Sequence, residues 1–332
     1  MLHHDGTVLS NLQLVTITLQ GYGARAQVEA FGDVVVGSAW YAKVGAEYNV
    51  RPGAHVQKVV LDPPAAPPAS RNEIATLIKQ WITGGKVLAP AAIANQLLYM
   101  IYLYLPAEGR GADLAGVAGY HQMVTLGDAR FPIVVILDSV GDGRGNALAL
   151  TAARHLINAV TNPYEPPNDG YYADPPMIDP WSLMLGEAAD LCDGETPVME
   201  DAFTLPRVYS DAAAMKDEPP CLPRLPGDFW NDVSAEPSTM QMVSRGGSVT
   251  FELTGWSTKA VPPWKLTTGI ADFSQLAIDD MQPELDETTI NNGTIVNLTL
   301  HAPATAIRGA AGGIYVLSGA NLHRWAVGFV VR

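Results

Sequence analysis

Two continuous apolar runs, residues 96–105 and 132–137, set the first constraint on this chain. Both are strand-sized, and no apolar run reaches the roughly 20 residues a helix needs to cross a bilayer. Runs without polar alternation read as strands buried on both faces, which predicts a central sheet covered by helices. The surrounding segments agree. Residues 8–18 alternate and then turn apolar, as a strand would, and 55–61 reads as another strand. Between them Val28, Phe31, Val35, Ala39 and Trp40 recur at helical spacing and predict one packed face over 26–44. The proline-rich connector 62–68 leads to Ser70, a good N-cap, and Glu73 completes a capping-box pattern for a helix through Trp81. A glycine-rich loop containing His121 is expected between the two apolar runs. Alternating strands and helices up to about residue 162 therefore predict an α/β layer domain.

After Pro163 this pattern breaks. Residues 163–235 are turn-rich with little periodicity, which suits long irregular loops with functional roles. From about residue 240 the period changes to two: 248–254, 294–300, 313–318 and 323–331 alternate and are separated by glycine, proline and asparagine. That is the pattern of a small antiparallel β-sandwich, with a turn at 319–322. The expected organisation is a mixed α+β or α/β chain: a layered domain over 1–238, loop-rich from 163, then a β-sandwich over 239–332.

Composition excludes several functions. The formal charge is −14, and no Lys/Arg-rich patch reverses it locally, so a nucleic-acid partner is not expected, nor is a membrane span. The segment 141–146 follows a strand and opens a helix, as a dinucleotide loop does. Its third glycine falls at Gly145, one position early, and no acidic residue closes a following strand at the right distance, so it reads as a connector. There is no Gly-x-Ser-x-Gly nucleophile elbow. The aromatic residues Tyr171, Tyr172, Trp181 and Trp230 either line a sugar- or peptide-binding groove or pin loops onto the core, and both readings stay open.

The residues that carry chemistry are concentrated between 146 and 222. The helix 146–162 bears a single histidine, His155. Downstream come Tyr171 and Tyr172, then Asp179, Pro180 and Trp181, then Gly186, Glu187, Asp190, Leu191 and Cys192. This order and spacing resemble a family of secreted bacterial zincin-like proteins, distantly related to the plant exordium (phosphate-induced) proteins. There the helix reads roughly His-Glu-x-x-Glu-Ala-x-Thr-Asp-Pro, and a Gly-Glu-x-x-Asp-Leu-Cys element follows. In this chain His155 is kept, but Leu156 stands at the general-base position and Ala159 at the second acidic position.

The resemblance implies a zincin-like layered fold with its site degraded. A zinc ion needs three or four protein ligands, and a glutamate next to the first histidine activates its bound water. Leu156 accepts no proton and Ala159 supplies no ligand. The remaining candidate ligands are His155, Glu187, Asp190 and His121, the last within the family-like Gly119-Tyr120-His121. Against this stands a plainer reading, in which His155 is a hydrogen-bonded core residue and Glu187 and Asp190 bond backbone amides near a helix start. Zinc is possible in the first reading and no cofactor is expected in the second.

The resemblance also pairs Cys192 with Cys221, in Glu218-Pro-Pro-Cys221, the alternative being two buried free thiols. A bridge would close a loop of about 30 residues, contribute roughly 3–4 kcal/mol and argue for an oxidising compartment. Residues 1–7 carry no secretion-signal pattern, which fits either a trimmed mature chain or a relative that stays inside. The leading expectation is a pseudo-metallopeptidase outside the cytoplasm that binds a protein or glycan. The alternatives are a metal-dependent hydrolase with a rebuilt site and a self-associating surface or assembly protein, for which a homo-oligomer is possible.

Overall fold

The computed structural model describes residues 2–3, 6–90, 96–138, 145–164, 170–172, 186–272, 278, 280–319 and 323–332. It is a mixed α+β protein with several antiparallel sheets, and its residues divide into two compact units. Among the described residues no helix is long and apolar enough to cross a membrane.

The first unit comprises His3–Tyr171 and Glu187–Tyr209. Its strands are β1 (Asn11–Leu19), β2 (Arg51–Leu61), β3 (Leu97–Tyr104), β4 (Gly119–Leu126) and β5 (Ala129–Asp138), in the order β2-β1-β3-β5-β4. The first four in that order run parallel, and β4 closes the edge antiparallel to β5. Every residue of β3 except Tyr104 is buried, as the unbroken apolar run requires of a strand covered on both faces. On one face Ile74, Ile78, Trp81 and Ile82 of α3 (Arg71–Thr83) pack against Val15, Ile17, Tyr99, Ile101, Ile133 and Val135. Ser70 caps α3 as expected, its hydroxyl accepting from the Glu73 amide at 3.3 Å, while the Glu73 carboxylate reaches back to the amide of Ala69 at 2.6 Å.

Two expectations fail here for local reasons. The single helix over 26–44 is two, α1 (Arg25–Val35) and α2 (Ala39–Gly45), because Ser38 starts a new helix by accepting from the Tyr41 amide at 3.0 Å. The Glu200 carboxylate completes that start, taking the amides of Ala39 and Trp40 at 2.6 Å each. Val28, Phe31, Val35 and Trp40 are buried as expected, whereas Ala39 is exposed. The loop expected around His121 is in fact β4, paired with β5 from Gly119 opposite Ile136 to Leu126 opposite Ala129. Gly127, at φ +58°, and Asp128 close this hairpin.

After β5 the chain enters α4 (Gly145–Thr161), which packs on β4 and β5 and on β7 (Phe203–Leu205), itself paired with β6 (Val198–Glu200). The connector 139–144 lies outside the described residues.

The second unit contains Ser210–Arg332 together with 1–2 and 172–186. Its strands are β8 (Asn231–Glu236), β9 (Gln241–Val243), β10 (Ser248–Ser257), β11 (Trp264–Asp272), β12 (Gln282–Leu285), β13 (Thr289–Ile290), β14 (Ile295–His301), β15 (Ala311–Ser318) and β16 (His323–Val331). They form two sheets, β8-β10-β14-β12 and β9-β16-β15-β11-β13. Alternate residues of both sheets, among them Val233, Phe251, Leu298, Ile314 and Phe329, share one core, which makes this a β-sandwich. It differs from the expectation in two ways. Strand β9 runs parallel to β16, and β8 pairs with β10, so the sandwich begins before the expected boundary at 238/239.

Candidate functional site

The site is built on α4. Arg154, Asn158 and Asn162 stand four residues apart and share one face of the helix, like rungs one turn apart. That face meets the turn 187–193, in which the Asp190 amide bonds the Glu187 carbonyl at 2.9 Å and the Asp193 amide bonds the Asp190 carbonyl at 3.0 Å. Arg154 donates Nε–H to Asp190 Oδ1 at 2.8 Å, and Asn158 donates Nδ2–H to the same oxygen at 3.2 Å. Asn158 Oδ1 in turn accepts the Ala189 amide at 3.0 Å. One turn further on, Asn162 donates to Glu187 Oε1 at 3.3 Å and accepts the Gly170 amide at 2.9 Å. Arg154 also reaches Asp193 through Nη1, at 3.2 Å.

His121 enters from β4. Its Nε2 lies 3.2 Å from Glu187 Oε1. Burial works against a charged imidazole there, but the charge and hydrogen bond of Glu187, the charge of Asp190 and the Asn162 carbonyl outweigh it and raise the proton affinity of His121. Burial would likewise raise the Glu187 carboxyl, yet His121, Asn162 and His155 hold it below the usual value. The two form a buried ion pair. For Asp190, burial and the nearby Glu187 charge prevail over Arg154 and Asn158, so its carboxyl sits above the usual range.

His155 lies beside this pair and stays neutral. Burial first, then the charges of His121 and Arg154, push it down to about 3. Its ring rests on β4 at Gly119: a Cβ there would stand 2.8 Å from His155 Cδ2 and 3.0 Å from Thr151 Cγ2, so a glycine is needed for α4 to lie this close. Leu156 and Ala159, at the positions where the resemblance calls for carboxylates, are fully buried.

The structure therefore brings together three of the four candidate ligands, His121, Glu187 and His155, and places Asp190 alongside them but bonded to α4. The carboxylates of Glu187 and Asp190 take side-chain donors, in place of the backbone amides of the plainer sequence reading. A neutral imidazole suits a metal, but the donor set does not. Among the described residues no three His, Cys, Asp or Glu side chains converge as a metal would require, and His121 and Asn162 both meet Glu187 at Oε1. Among the described residues, His121, His155, Glu187 and Asp190 are not arranged as a zinc site.

The polar stripe 154/158/162 is not among the residues that the sequence motifs single out. Its signal was legible: three long polar side chains at four-residue spacing in a helix otherwise rich in alanine and leucine.

The other expected positions fall as follows. Cys192 and Cys221 are joined in a disulfide. Tyr171 pins its loop, with its ring edge-on to Tyr48 at 4.8 Å, while the Tyr48 hydroxyl donates to the Tyr209 carbonyl at 2.5 Å. Trp230 is buried and stacks on His323, with ring centroids 3.6 Å apart. The Tyr172 side chain and Trp181 lie outside the described residues. No protein-family model matches the chain, and no curated protein matches its sequence.

Proposed function

We propose that this chain is a catalytically degenerate zincin-like protein, kept for a binding or structural role outside the cytoplasm. The observation that carries the reading is the bonding of the candidate ligands. Each carboxylate that could hold a metal or activate water instead accepts from a side chain of the same network, and fully buried Leu156 fills the general-base position. General-base catalysis needs an acceptor within reach of the water it deprotonates, and an aliphatic side chain offers none. The network acts as a brace: α4 holds the turn 187–193 by five side-chain contacts, and that turn carries Cys192 of the disulfide. A disulfide is at home in an oxidising compartment, which favours a secreted or surface location. A protein or glycan is the class of partner this reading expects.

Elemental analysis of purified, never-chelated protein, paired with a broad peptidase assay, tests it. The expected result is substoichiometric zinc and no hydrolysis above background. Stoichiometric zinc that disappears in His155→Ala, together with peptide cleavage, would overturn the reading in favour of a rebuilt hydrolase site.

A further inference from the structure

Asparagine followed by glycine occurs once in the chain, at Asn292-Gly293, and the fold sets this pair in an exposed turn, 291–294. The turn joins β13, of one sheet of the sandwich, to β14, of the other. Gly293 sits at φ +76°, a left-handed conformation that costs glycine nothing.

Asparagine is a labile residue, and most of all in this sequence. The backbone nitrogen of the next residue can reach the side-chain carbonyl carbon by closing a five-membered ring, and glycine puts no side chain in its path. Attack forms a bond from Gly293 N to Asn292 Cγ and expels the side-chain nitrogen as ammonia. Water then opens the succinimide at either carbonyl, leaving aspartate or, with one methylene added to the backbone, isoaspartate. Water is the only co-reactant. The nitrogen attacks after losing its proton, because in the intact amide its lone pair is shared with the carbonyl.

Here the fold holds that proton. Gly293 N–H donates to the Gly255 carbonyl of β10 at 2.8 Å, and Gly255 N–H donates back to the Thr294 carbonyl at 2.9 Å. A Cβ on Gly255 would stand 2.2 Å from the Asn291 carbonyl oxygen, so only glycine lets the turn lie this close to β10. The other reactant is held too: Ser257 N–H donates to Asn292 Oδ1 at 3.0 Å. That bond polarises the carbonyl and favours attack, but it has no nucleophile to serve while Gly293 keeps its proton. Within the turn, Thr294 Oγ1 accepts from Asn291 N–H and donates to the Asn291 carbonyl, both at 2.9 Å.

We propose that Asn292 is a self-modification site, a deamidation clock gated by the pairing of Gly293 with Gly255. While the turn is docked on β10 the clock is stopped. It runs when the turn opens, and the same opening exposes the Gly293 amide to hydrogen exchange. Isoaspartate formed in such an interval lengthens the backbone between Asn292 and Gly293, which moves Gly293 out of register with Gly255. Each event therefore leaves that corner of the sandwich open.

The test holds the intact, disulfide-bonded chain at mildly alkaline pH, once folded and once in denaturant. Peptide mapping by mass spectrometry follows conversion at Asn292, and NMR reads amide exchange of Gly293 in the folded sample. Asn292 should convert before any other asparagine of the unfolded chain. Folding should slow it about tenfold or more, by the same factor that protects the Gly293 amide. Thr294→Ala, which removes neither reactant, should lower the protection and speed the conversion together. Folded conversion at the unfolded rate overturns the proposal, as does slow conversion beside a freely exchanging Gly293 amide, or another asparagine reacting first. If Thr294→Ala does not fold, the match between exchange and conversion in the unsubstituted chain still decides the matter.

Discussion

Asp190→Ala tests the brace at its centre. The substitution removes the oxygen that accepts from Arg154 Nε at 2.8 Å and from Asn158 Nδ2 at 3.2 Å. Losing a hydrogen bond to a charged donor costs about 1.5–3 kcal/mol, and leaving a buried amide N–H without its acceptor costs about 1–3 kcal/mol more. Arg154 keeps Asp193, but Asp193 is more than half exposed, and such a pair offsets little. Because burial already raises the Asp190 carboxyl, relief of that penalty trims the sum. A net loss of about 2–4 kcal/mol follows, which for a unit of this size is roughly 4–16 °C in Tm. Thermal unfolding of Asp190→Ala, Asn158→Ala and the double variant reads both the loss and the coupling. The pair should be non-additive by about 1 kcal/mol or more, since the two residues share one bond. Additive effects, each below about 0.5 kcal/mol, would refute the idea that α4 holds this turn through its polar stripe.

Three further outcomes follow from the same geometry. Glu187→Gln should flatten the pH dependence of stability. The raised His121 contributes fully below the ordinary imidazole value of 6.5 and is lost as pH rises through its folded value; the lowered Glu187 contributes fully above 4.5 and is lost as pH falls through its own. The ion pair is thus worth most between those two values, and denaturant titrations of both proteins should differ most there, the difference shrinking as pH rises through the folded value of His121 or falls through that of Glu187. Gly119→Ala should cost about 1–3 kcal/mol by pushing His155 and Thr151 off β4, and a neutral result in chemical denaturation would count against the close packing of α4. Cys192→Ser, measured beside wild type under non-reducing conditions, should lose about 3–4 kcal/mol; equal stability would mean the cross-link constrains little.

What the sequence disclosed depended on how local each signal was. The central strands 97–104 and 129–138 were legible because burial on both faces leaves no polar positions, and Ser70 was legible because a cap is set by its immediate neighbours. Of the sandwich strands, β10, β14, β15 and β16 were readable by their period of two, whereas β8, β9, β11, β12 and β13 were not. Strand β4 was not, because the glycines before it masked the strand, although Gly127-Asp128 marked a two-residue hairpin turn. The break between α1 and α2 needed Glu200, about 160 residues away, and no local pattern carries that. At the site, the resemblance named His121, His155, Glu187 and Asp190, yet it gave no hint that Arg154, Asn158 and Asn162 would claim the carboxylates. Their role depends on which face of α4 meets the turn 187–193, which is a property of the packing.

The most direct test is thermal unfolding of the disulfide-bonded chain with excess zinc and with a chelator. A ligand that binds the folded state raises its stability by RT ln(1 + [L]/Kd), so even a modest site shows itself as a shift that grows with concentration. Carboxylates already committed to Arg154, Asn158, Asn162 and His121 predict one unfolding temperature in both conditions, for wild type and for His155→Ala alike. A zinc-dependent rise in wild type that is absent from His155→Ala would contradict the account.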